Sequence, residues 1–226
     1  MAQKKRCLEF WFEFASPYSF LAAPRLATVA AAKGLAPSLL RWRPFLLGPV
    51  LKARGISTTP NTDHVAKGAY MWRDLERRAA KHGFHAQRPS RFPRHPLLTA
   101  RIATQDAPWM PEFAVRVFEA NFAEDRDIAD PDVIATILTA MGLDPHPVLE
   151  KAATPEIKLE LKRHTEEALA LGIFGAPTFV VRRGEASATH PVADDVEELF
   201  WGDDRLEDAI DWVVAVNAAA AGTTAS

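Results

Sequence analysis

The sequence predicts an α/β protein in which a small sheet is divided along the chain by a large helical insertion. Three observations support this prediction. Residues 8–14 (Leu-Glu-Phe-Trp-Phe-Glu-Phe) are rich in aromatic side chains, as buried strands are. Residues 46–171 carry almost no strand pattern and many helix starts. Strand character then returns at residues 175–181 (Gly-Ala-Pro-Thr-Phe-Val-Val).

A strand, a helix and a second strand open the chain. We expect residues 8–14 to form a buried central strand that stops at Ala15-Ser16-Pro17. Apolar residues then recur at helical spacing as far as Lys33-Gly34, where a lysine followed by a glycine indicates a helix end. Residues 39–45 alternate in polarity and contain a proline near their end, which predicts a second strand. The three elements form a right-handed crossover unit.

The remaining elements divide the chain into an outer domain, 1–45 with 172–226, and an inserted helical domain, 46–171. Within the insertion, helices are expected to open at Pro111-Glu112, Asp130-Pro131 and Thr154-Pro155-Glu156. Residues 182–195 are polar and contain Gly and Pro, which predicts a loop before a further strand. A final helix is expected over residues 204–216, followed by a frayed tail rich in Ala and Thr.

The composition points to a small-molecule partner. The 226 residues have a formal net charge of −2, which gives no general attraction to nucleic acid or to an anionic membrane surface. No window approaches the roughly 18 uninterrupted apolar residues of a spanning helix, and we expect a cytoplasmic location. Cys7 is the single cysteine, so an intrachain disulfide is impossible, and its place in an apolar run predicts a buried structural thiol.

The turn Ser16-Pro17-Tyr18-Ser19 is the strongest local feature. Serine before proline is a common helix cap, and capping alone is one interpretation. In a thioredoxin-like unit, however, the same turn holds a Cys-Pro-x-Cys motif whose first thiolate is stabilised by the helix N-terminus. Serine at both cysteine positions excludes disulfide exchange but leaves the positive helix end available to an anion. The site therefore fits a thiolate that a ligand brings.

Pro177, in Gly175-Ala176-Pro177-Thr178, is the second element expected of such a fold. A cis proline that opens the third strand turns the backbone of the preceding residue outward, where an extended peptide can pair with it. Glutathione is such a peptide. A plain turn proline is the alternative interpretation.

Five segments in order resemble the 2-hydroxychromene-2-carboxylate isomerase family. The segments are residues 14–22, 42–48, 67–75, 172–179 and 200–206. This family is similar to the kappa class of glutathione transferases and belongs to the DsbA-like thioredoxin superfamily. The resemblance implies a thioredoxin-like fold with a large all-helical insertion, glutathione as cofactor, a small aromatic substrate from aromatic-compound degradation, and a homodimer.

The resemblance also implies roles for individual residues. Ser16 matches the catalytic serine whose hydroxyl group faces the glutathione sulfur. The glutathione-binding positions are Ser16, Ala176, Pro177, Trp201, Asp203 and Asp204. Weaker candidates for ligand contacts or for walls of the acceptor pocket are Arg43, Pro44, Asn61, Lys67, Phe92 and Pro93. His95 stands where the family often has a polar amide, and the loop over residues 182–199 is longer than usual, so the acceptor specificity is open.

The implied reaction is a glutathione-dependent isomerisation of the 2-hydroxychromene-2-carboxylate/trans-o-hydroxybenzylidenepyruvate type, by thiolate addition, bond rotation and elimination. Two alternatives stay open: a kappa-like glutathione transferase or peroxidase, and a non-catalytic thioredoxin-like binding module. His82 and His85, near His64 and His95, lack an acidic third ligand, and no metal is expected. The charged run over residues 73–78 is interpreted as a solvated helix face.

Overall fold

The fold is known from a computed structural model that describes residues 5–56, 64–183 and 196–222. The strands within these residues are β1 (Arg6–Phe12), β2 (Leu40–Pro44), β3 (Thr178–Arg183) and β4 (Val196–Trp201). The α-helices described are α1 (Pro17–Ala32), α2 (Leu47–Ala53), α3 (Val65–Lys81), α4 (Leu97–Ala103), α5 (Met110–Phe122), α6 (Pro131–Ala140), α7 (Pro145–Ala152), α8 (Pro155–Ala170) and α9 (Leu206–Gly222). Short 3-10 helices, Pro37–Leu39 and Asp203–Arg205, precede β2 and α9.

The four described strands form one mixed sheet in the order β2-β1-β3-β4. β1 is parallel to β2 and antiparallel to β3, and β3 is antiparallel to β4. β1 is therefore the central strand that the sequence predicts. Phe10 lies opposite Trp42 on one neighbour and Phe179 on the other, with ring centroids 5.0 and 5.4 Å away. Helices α2 to α8 all lie between β2 and β3 in the chain.

Helices cover both faces of the sheet, which is why all seven residues of β1 are buried. On one face, Phe10 and Phe12 pack with Phe20 of α1 and with residues of α5 and α9. On the other face, Trp11 packs with residues of α2 and α8. Each fully buried aliphatic or aromatic side chain contributes about 1.5–3 kcal/mol. The side chains packed against the two faces of β1 fix the position of its end and of the turn that follows.

The helix starts follow the sequence signals in most cases. The side chains of Ser16, Asp130 and Thr154 accept hydrogen bonds from backbone N–H groups in the first turns of α1, α6 and α8. α5 begins at Met110, one residue before the predicted proline, and no side-chain hydrogen bond caps it. The last helix is longer than predicted and ends at Gly222, because alanine is the best helix former. The loop predicted over residues 182–195 is wrong for residues 182 and 183, which belong to β3; its residues 184–195, like the tail over residues 223–226, lie outside the described residues.

A buried ionic cluster lies on the α8 face of the sheet. The Glu9 carboxylate accepts hydrogen bonds from the indole N–H of Trp11 at 2.9 Å and from the Arg182 guanidinium at 2.7 Å. Arg182 also pairs with Glu167 of α8, and Glu167 in turn binds Arg43 of β2. Each charge of this cluster therefore has an opposite charge beside it, as burial of ions requires. Cys7 is also buried, as predicted, and burial raises the pKa of its thiol.

Candidate functional site

A cavity of about 1220 Å³ opens beside the turn between β1 and α1. Its wall is built from that turn, the start of α2, one face of α3, residues 92–97, residues 174–176 and residues 201–205. The turn and residues 174–176 and 201–205 come from the two ends of the chain, whereas α2, α3 and residues 92–97 come from its middle. The cavity therefore lies where the sheet end meets the helices between β2 and β3, a common place for a ligand.

Ser16 lies in the wall of this cavity at the N-terminus of α1 and is 6% exposed. Its hydroxyl oxygen accepts a hydrogen bond from the Ser19 backbone N–H at 3.1 Å, which caps the helix. The hydroxyl group donates to the carbonyl oxygen of Ala176 at 2.8 Å. Ser16 is thus both a helix cap and the link between the turn and the loop before β3.

Ala176 lines the cavity beside Ser16, and the Ala176–Pro177 peptide bond is cis, as predicted. Pro177 itself is buried, is not part of the cavity wall, and accepts a hydrogen bond from the Gly202 N–H at 3.0 Å. Trp201 lies over this loop and is 53% exposed. A side chain at Gly175 would place its Cβ 2.3 Å from the Trp201 indole nitrogen, so only glycine lets the indole lie this close.

The polar end of the cavity contains a buried ion pair. Asp203 is 2% exposed and accepts hydrogen bonds from Nε and Nη2 of Arg78 at 3.1 and 2.6 Å, with Nη1 of Arg25 at 3.9 Å. Burial raises the pKa of Asp203, and the hydrogen bonds from Arg78 oppose that rise. Asp204 also lines the cavity, and its side chain is half exposed. The sequence-based interpretation of residues 73–78 as a solvated face is wrong for Arg78, whose guanidinium points into this cluster.

Tyr18 and Asp74 join α1 to α3 across the cavity wall. The Tyr18 hydroxyl group donates to Asp74 at 3.1 Å, and both residues line the cavity. Burial and the neighbouring Asp74 carboxylate raise the pKa of Tyr18 well above its ordinary value. The phenol is therefore neutral over the working pH range. Lys67, two turns before Asp74 on the same side of α3, adds an exposed ammonium group to the wall.

The other end of the cavity is apolar. Its aliphatic and aromatic side chains come from the start of α2, from α3 and from the segment before α4, and include Leu46, Leu47, Leu51, Ile56, Met71 and Phe92. Pro93 also lines this wall, and the Phe92–Pro93 peptide bond is cis. The Phe92 ring is held by Trp72 at a centroid distance of 4.7 Å. An apolar ligand group fits this end, away from the charged cluster.

Glu13 is a cavity residue that the sequence analysis did not single out as functional. The observed strand ends at Phe12, so Glu13 belongs to the turn and not to the strand. It is 6% exposed, and one of its carboxyl oxygens accepts a hydrogen bond from the Ala15 N–H at 2.9 Å. Burial raises its pKa to about 8, and the Ala15 hydrogen bond opposes that rise.

Most of the residues that the family resemblance named lie in this one cavity. They are Ser16, Lys67, Phe92, Pro93, Ala176, Trp201, Asp203 and Asp204. Arg43 and Pro44 do not line it: Arg43 lies over the Trp11 ring at 5.0 Å, and the Pro44 carbonyl oxygen is 3.0 Å from Nδ1 of His164, on the α8 face of the sheet. Their candidacy as pocket walls is not supported: Arg43 lies on the α8 face with its strand partner Trp11, and Pro44, the partner of Phe12, is not in the cavity wall either. Asn61 lies outside the described residues.

Across residues 5–56, 64–183 and 196–222, no group of three or more His, Cys, Asp and Glu side chains could hold a metal ion. In the same part of the chain, no helix is both long and apolar enough to cross a membrane.

Comparison with known proteins gives the family. The sequence matches the DSBA-like thioredoxin domain over residues 7–211, most of its length. The chain belongs to this DSBA-like thioredoxin family. Within it, Ser16 and Ser19 occupy the turn that opens the first helix of the fold. The fold predicted from the sequence, a thioredoxin-like sheet with many helices between its strands, is confirmed.

Two relatives and one solved structure are similar along most of the chain. A 2-hydroxychromene-2-carboxylate isomerase of Sphingobium xenophagum is 26% identical over 202 residues, which are 89% of this chain and 95% of the relative. Glutathione S-transferase kappa 1 of Homo sapiens is 28% identical over 223 residues, with 92% of this chain and 90% of the relative covered. The solved structure of a selenomethionine 2-hydroxychromene-2-carboxylate isomerase matches with a TM-score of 0.76 at 24% identity, over 94% of this chain and 98% of that one.

Proposed function

We propose that this DSBA-like protein is a glutathione-dependent isomerase of the 2-hydroxychromene-2-carboxylate/trans-o-hydroxybenzylidenepyruvate type. One observation carries the proposal. A serine, Ser16, replaces the redox thiol at the N-terminus of α1 and is hydrogen-bonded to Ala176 in the wall of a large cavity. The names of two relatives, an isomerase and a kappa transferase, support the same reading of the site.

The residues of the cavity fit glutathione by their chemistry. Glutathione has two carboxylates, one ammonium group, two amide bonds and a thiol. Arg78 and Lys67 are cations in the wall that suit carboxylates, and the half-exposed Asp204 suits the ammonium group. The backbone of Ala176 suits an amide of an extended peptide. The volume of about 1220 Å³ leaves space for a second, aromatic ligand.

Ser16 and the N-terminus of α1 would stabilise a sulfur anion. A free cysteine thiol has a pKa of about 8.5, so only a few per cent is ionised at neutral pH. A hydrogen bond to a charged acceptor contributes about 1.5–3 kcal/mol, and a helix N-terminus adds about 0.3–1 kcal/mol. At about 1.4 kcal/mol per unit, these contributions lower the thiol pKa by about one to three units. Ser16 itself stays uncharged and forms no covalent bond.

The apolar wall would hold the aromatic substrate next to Ser16. When bound, glutathione supplies a thiolate that adds to the conjugated double bond and leaves after rotation about the resulting single bond. Leu47, Leu51 and Phe92 exclude water from the aromatic ring and orient it. Tyr18 and Asp74 keep α1 and α3 together, so the two halves of the wall stay at a fixed separation. No net redox change occurs.

A kappa-like glutathione transferase is the second candidate, because the human kappa relative is similar over 92% of this chain. A transferase activity would use the same glutathione site around Ser16. It would differ from the isomerase only in the acceptor, which is the molecule that the thiolate attacks. Haloaromatic and hydroperoxide acceptors therefore distinguish the two activities.

Two measurements test the proposal. Titration calorimetry with glutathione should show binding, and the absorbance of 2-hydroxychromene-2-carboxylate should change faster with enzyme and glutathione than with either alone. If the folded protein does not bind glutathione, both the isomerase and the transferase are contradicted and a non-catalytic binding module is favoured. Glutathione binding without isomerisation, together with turnover of a haloaromatic acceptor, would favour the transferase. Light scattering tests the homodimer that we propose from the family resemblance.

A further inference from the structure

Glu13 differs from the other glutamate of the first strand region. Glu9 is buried and ion-paired with Arg182, whereas no ion pair with Glu13 occurs among the described residues. The Ala15 N–H occupies one carboxyl oxygen of Glu13, and the residue contributes to the cavity wall beside Ser16. Glu13 is therefore a buried residue that lies between the ligand cavity and the protein core.

The surroundings of Glu13 favour its protonated form. Burial disfavours the carboxylate and raises the pKa of Glu13 to about 8, with only the Ala15 hydrogen bond opposing. Charged and titratable groups of the same cavity come from every element around it, namely Tyr18, Lys67, Asp74, Arg78, residues 94–95 and residues 203–205. The cations Arg78 and Arg94 already pair with Asp203 and Asp125.

Because Glu13 and Ser16 line the same cavity, the charge of Glu13 would change the electrostatic energy of a ligand anion bound beside Ser16. Two anions that share one partly buried site repel each other strongly, whereas a protonated carboxyl group does not repel an anion and can donate to it. We propose, on the basis of the proposed glutathione site, that Glu13 is a further positioning residue whose protonated carboxyl group admits the thiolate to the N-terminus of α1. Ionised Glu13 excludes that thiolate.

Glu13→Gln tests this inference, because glutamine mimics the protonated acid in shape and keeps an oxygen for the Ala15 N–H. Glutathione binding is measured by calorimetry, and thiolate formation by ultraviolet absorbance, at several pH values between about 6 and 9.5. Near pH 6 the variant and the wild type should bind within about twofold of each other. At about pH 9.5, more than one unit above the Glu13 pKa of about 8, the variant should bind at least about tenfold more tightly, since only wild-type Glu13 becomes charged. The exposed Glu112→Gln on α5, outside the cavity wall, is the charge-matched control and should follow the wild type.

A second measurement needs no ligand. The pKa of Glu13 is higher in the folded chain than in the unfolded chain, so its stabilisation is complete below about pH 4.5 and is lost as the pH rises through about 8. In the wild type, this loss lowers the urea unfolding midpoint as the pH rises from about 4.5 to 8. The decrease should be smaller in Glu13→Gln. An affinity ratio that does not change with pH, or an unaltered midpoint profile, overturns the inference alone. A wild type that binds no glutathione at any pH overturns the proposed function and the inference together.

Discussion

The Ser16 hydroxyl group donates a hydrogen bond to the Ala176 carbonyl oxygen at 2.8 Å, across 160 positions of the chain. This bond joins the turn at the start of α1 to the loop before β3, the two segments expected to bind glutathione. A ligand thiolate can accept a hydrogen bond from the Ser16 hydroxyl group only if that group turns away from Ala176. The exchange is favourable, because a hydrogen bond to a charged acceptor is stronger than one to a neutral carbonyl.

Ser16→Ala should weaken both the helix and the thiolate site. Loss of the cap on α1 is expected to lower the free energy of unfolding by about 0.5–2 kcal/mol. Loss of the hydrogen bond to sulfur should raise the pKa of bound glutathione by about one to two units. Urea unfolding measures the first effect, and ultraviolet titration of the bound thiol measures the second.

Ser19→Ala is the matched control in the same turn. The Ser19 hydroxyl oxygen is buried without a hydrogen-bond partner in the described part of the chain, and Ser19 is not part of the cavity wall. Its removal should leave the thiol pKa unchanged and leave stability unchanged or up to about 1 kcal/mol higher. Equal thiol pKa shifts in the two variants would contradict the role of Ser16.

Arg78→Met should destabilise the protein and weaken glutathione binding. It leaves the Asp203 carboxylate buried beside Arg25 alone, whose guanidinium is 3.9 Å away. Removal of one partner of a buried pair costs about 3–5 kcal/mol, and the lower end is expected here because Arg25 remains. Urea unfolding at neutral pH measures the loss, and calorimetry measures the affinity.

Arg73→Met on the same helix controls for removal of a positive charge. The Arg73 side chain is 67% exposed and pairs with the exposed Glu76. Exposed pairs of this kind contribute little, so a change below about 0.5 kcal/mol is expected. Similar losses for the two variants would mean that the charge of α3, and not the contact with Asp203, is what matters.

Local patterns in the sequence predicted the frame of the site but not its charged contacts. Aromatic residues and the Ser-Pro turn were sufficient for β1, for α1 and for the position of Ser16, because the signals for these features lie within a few residues. The Arg78–Asp203 pair joins residues 125 positions apart. The sequence of α3 does not distinguish Arg78 from the exposed Arg73. Arg78 becomes part of the site only because α1 and the segment before α9 pack against its side of the helix.

Two further differences come from the exact end and face of a strand. Alternation along β2 does not tell which face meets the cavity, and Arg43 lies on the α8 face with Trp11. β1 ends at Phe12, two residues before the predicted end, so Glu13 enters the turn and the cavity wall. Strand ends are set by pairing with the neighbouring strands, which a pattern along one strand does not contain.

Gly175→Ala should disturb the wall formed by Trp201. The new Cβ would lie 2.3 Å from the indole nitrogen, so the half-exposed indole, whose ring centroid is 4.9 Å from that of Phe174, must move. Overpacking of this size costs about 1–3 kcal/mol, so glutathione affinity is expected to fall about tenfold or more. Gly48→Ala, also in the cavity wall but with nothing within 4 Å of its Cβ, should change affinity less than about threefold. The indole N–H resonance of Trp201 should shift in the first variant and stay in place in the second.

His164 of α8 should make the protein sensitive to acid. Burial, and then the neighbouring Arg43 guanidinium, lower the pKa of His164 to about 3. The unfolded chain takes up the proton below about pH 6.5 and the folded chain does not, so the contribution of His164 lowers the free energy of unfolding by about 1.4 kcal/mol per pH unit from there towards pH 3. His164→Gln, which can still donate to the Pro44 carbonyl oxygen, should therefore lose about 2 kcal/mol less than the wild type between about pH 6.5 and 5.

The exposed His146→Gln on α7 provides the comparison for this acid effect, since its side chain is 77% exposed. Urea unfolding at each pH gives the free energies, and the difference between variant and wild type isolates the histidine from Glu13, which acts in the opposite direction over the same range. His164→Gln should depart from the wild-type pH profile, and His146→Gln should follow it. If both variants follow it, His164 binds its proton equally in the folded and unfolded chains, and the α8 face of the sheet admits more water than its burial indicates.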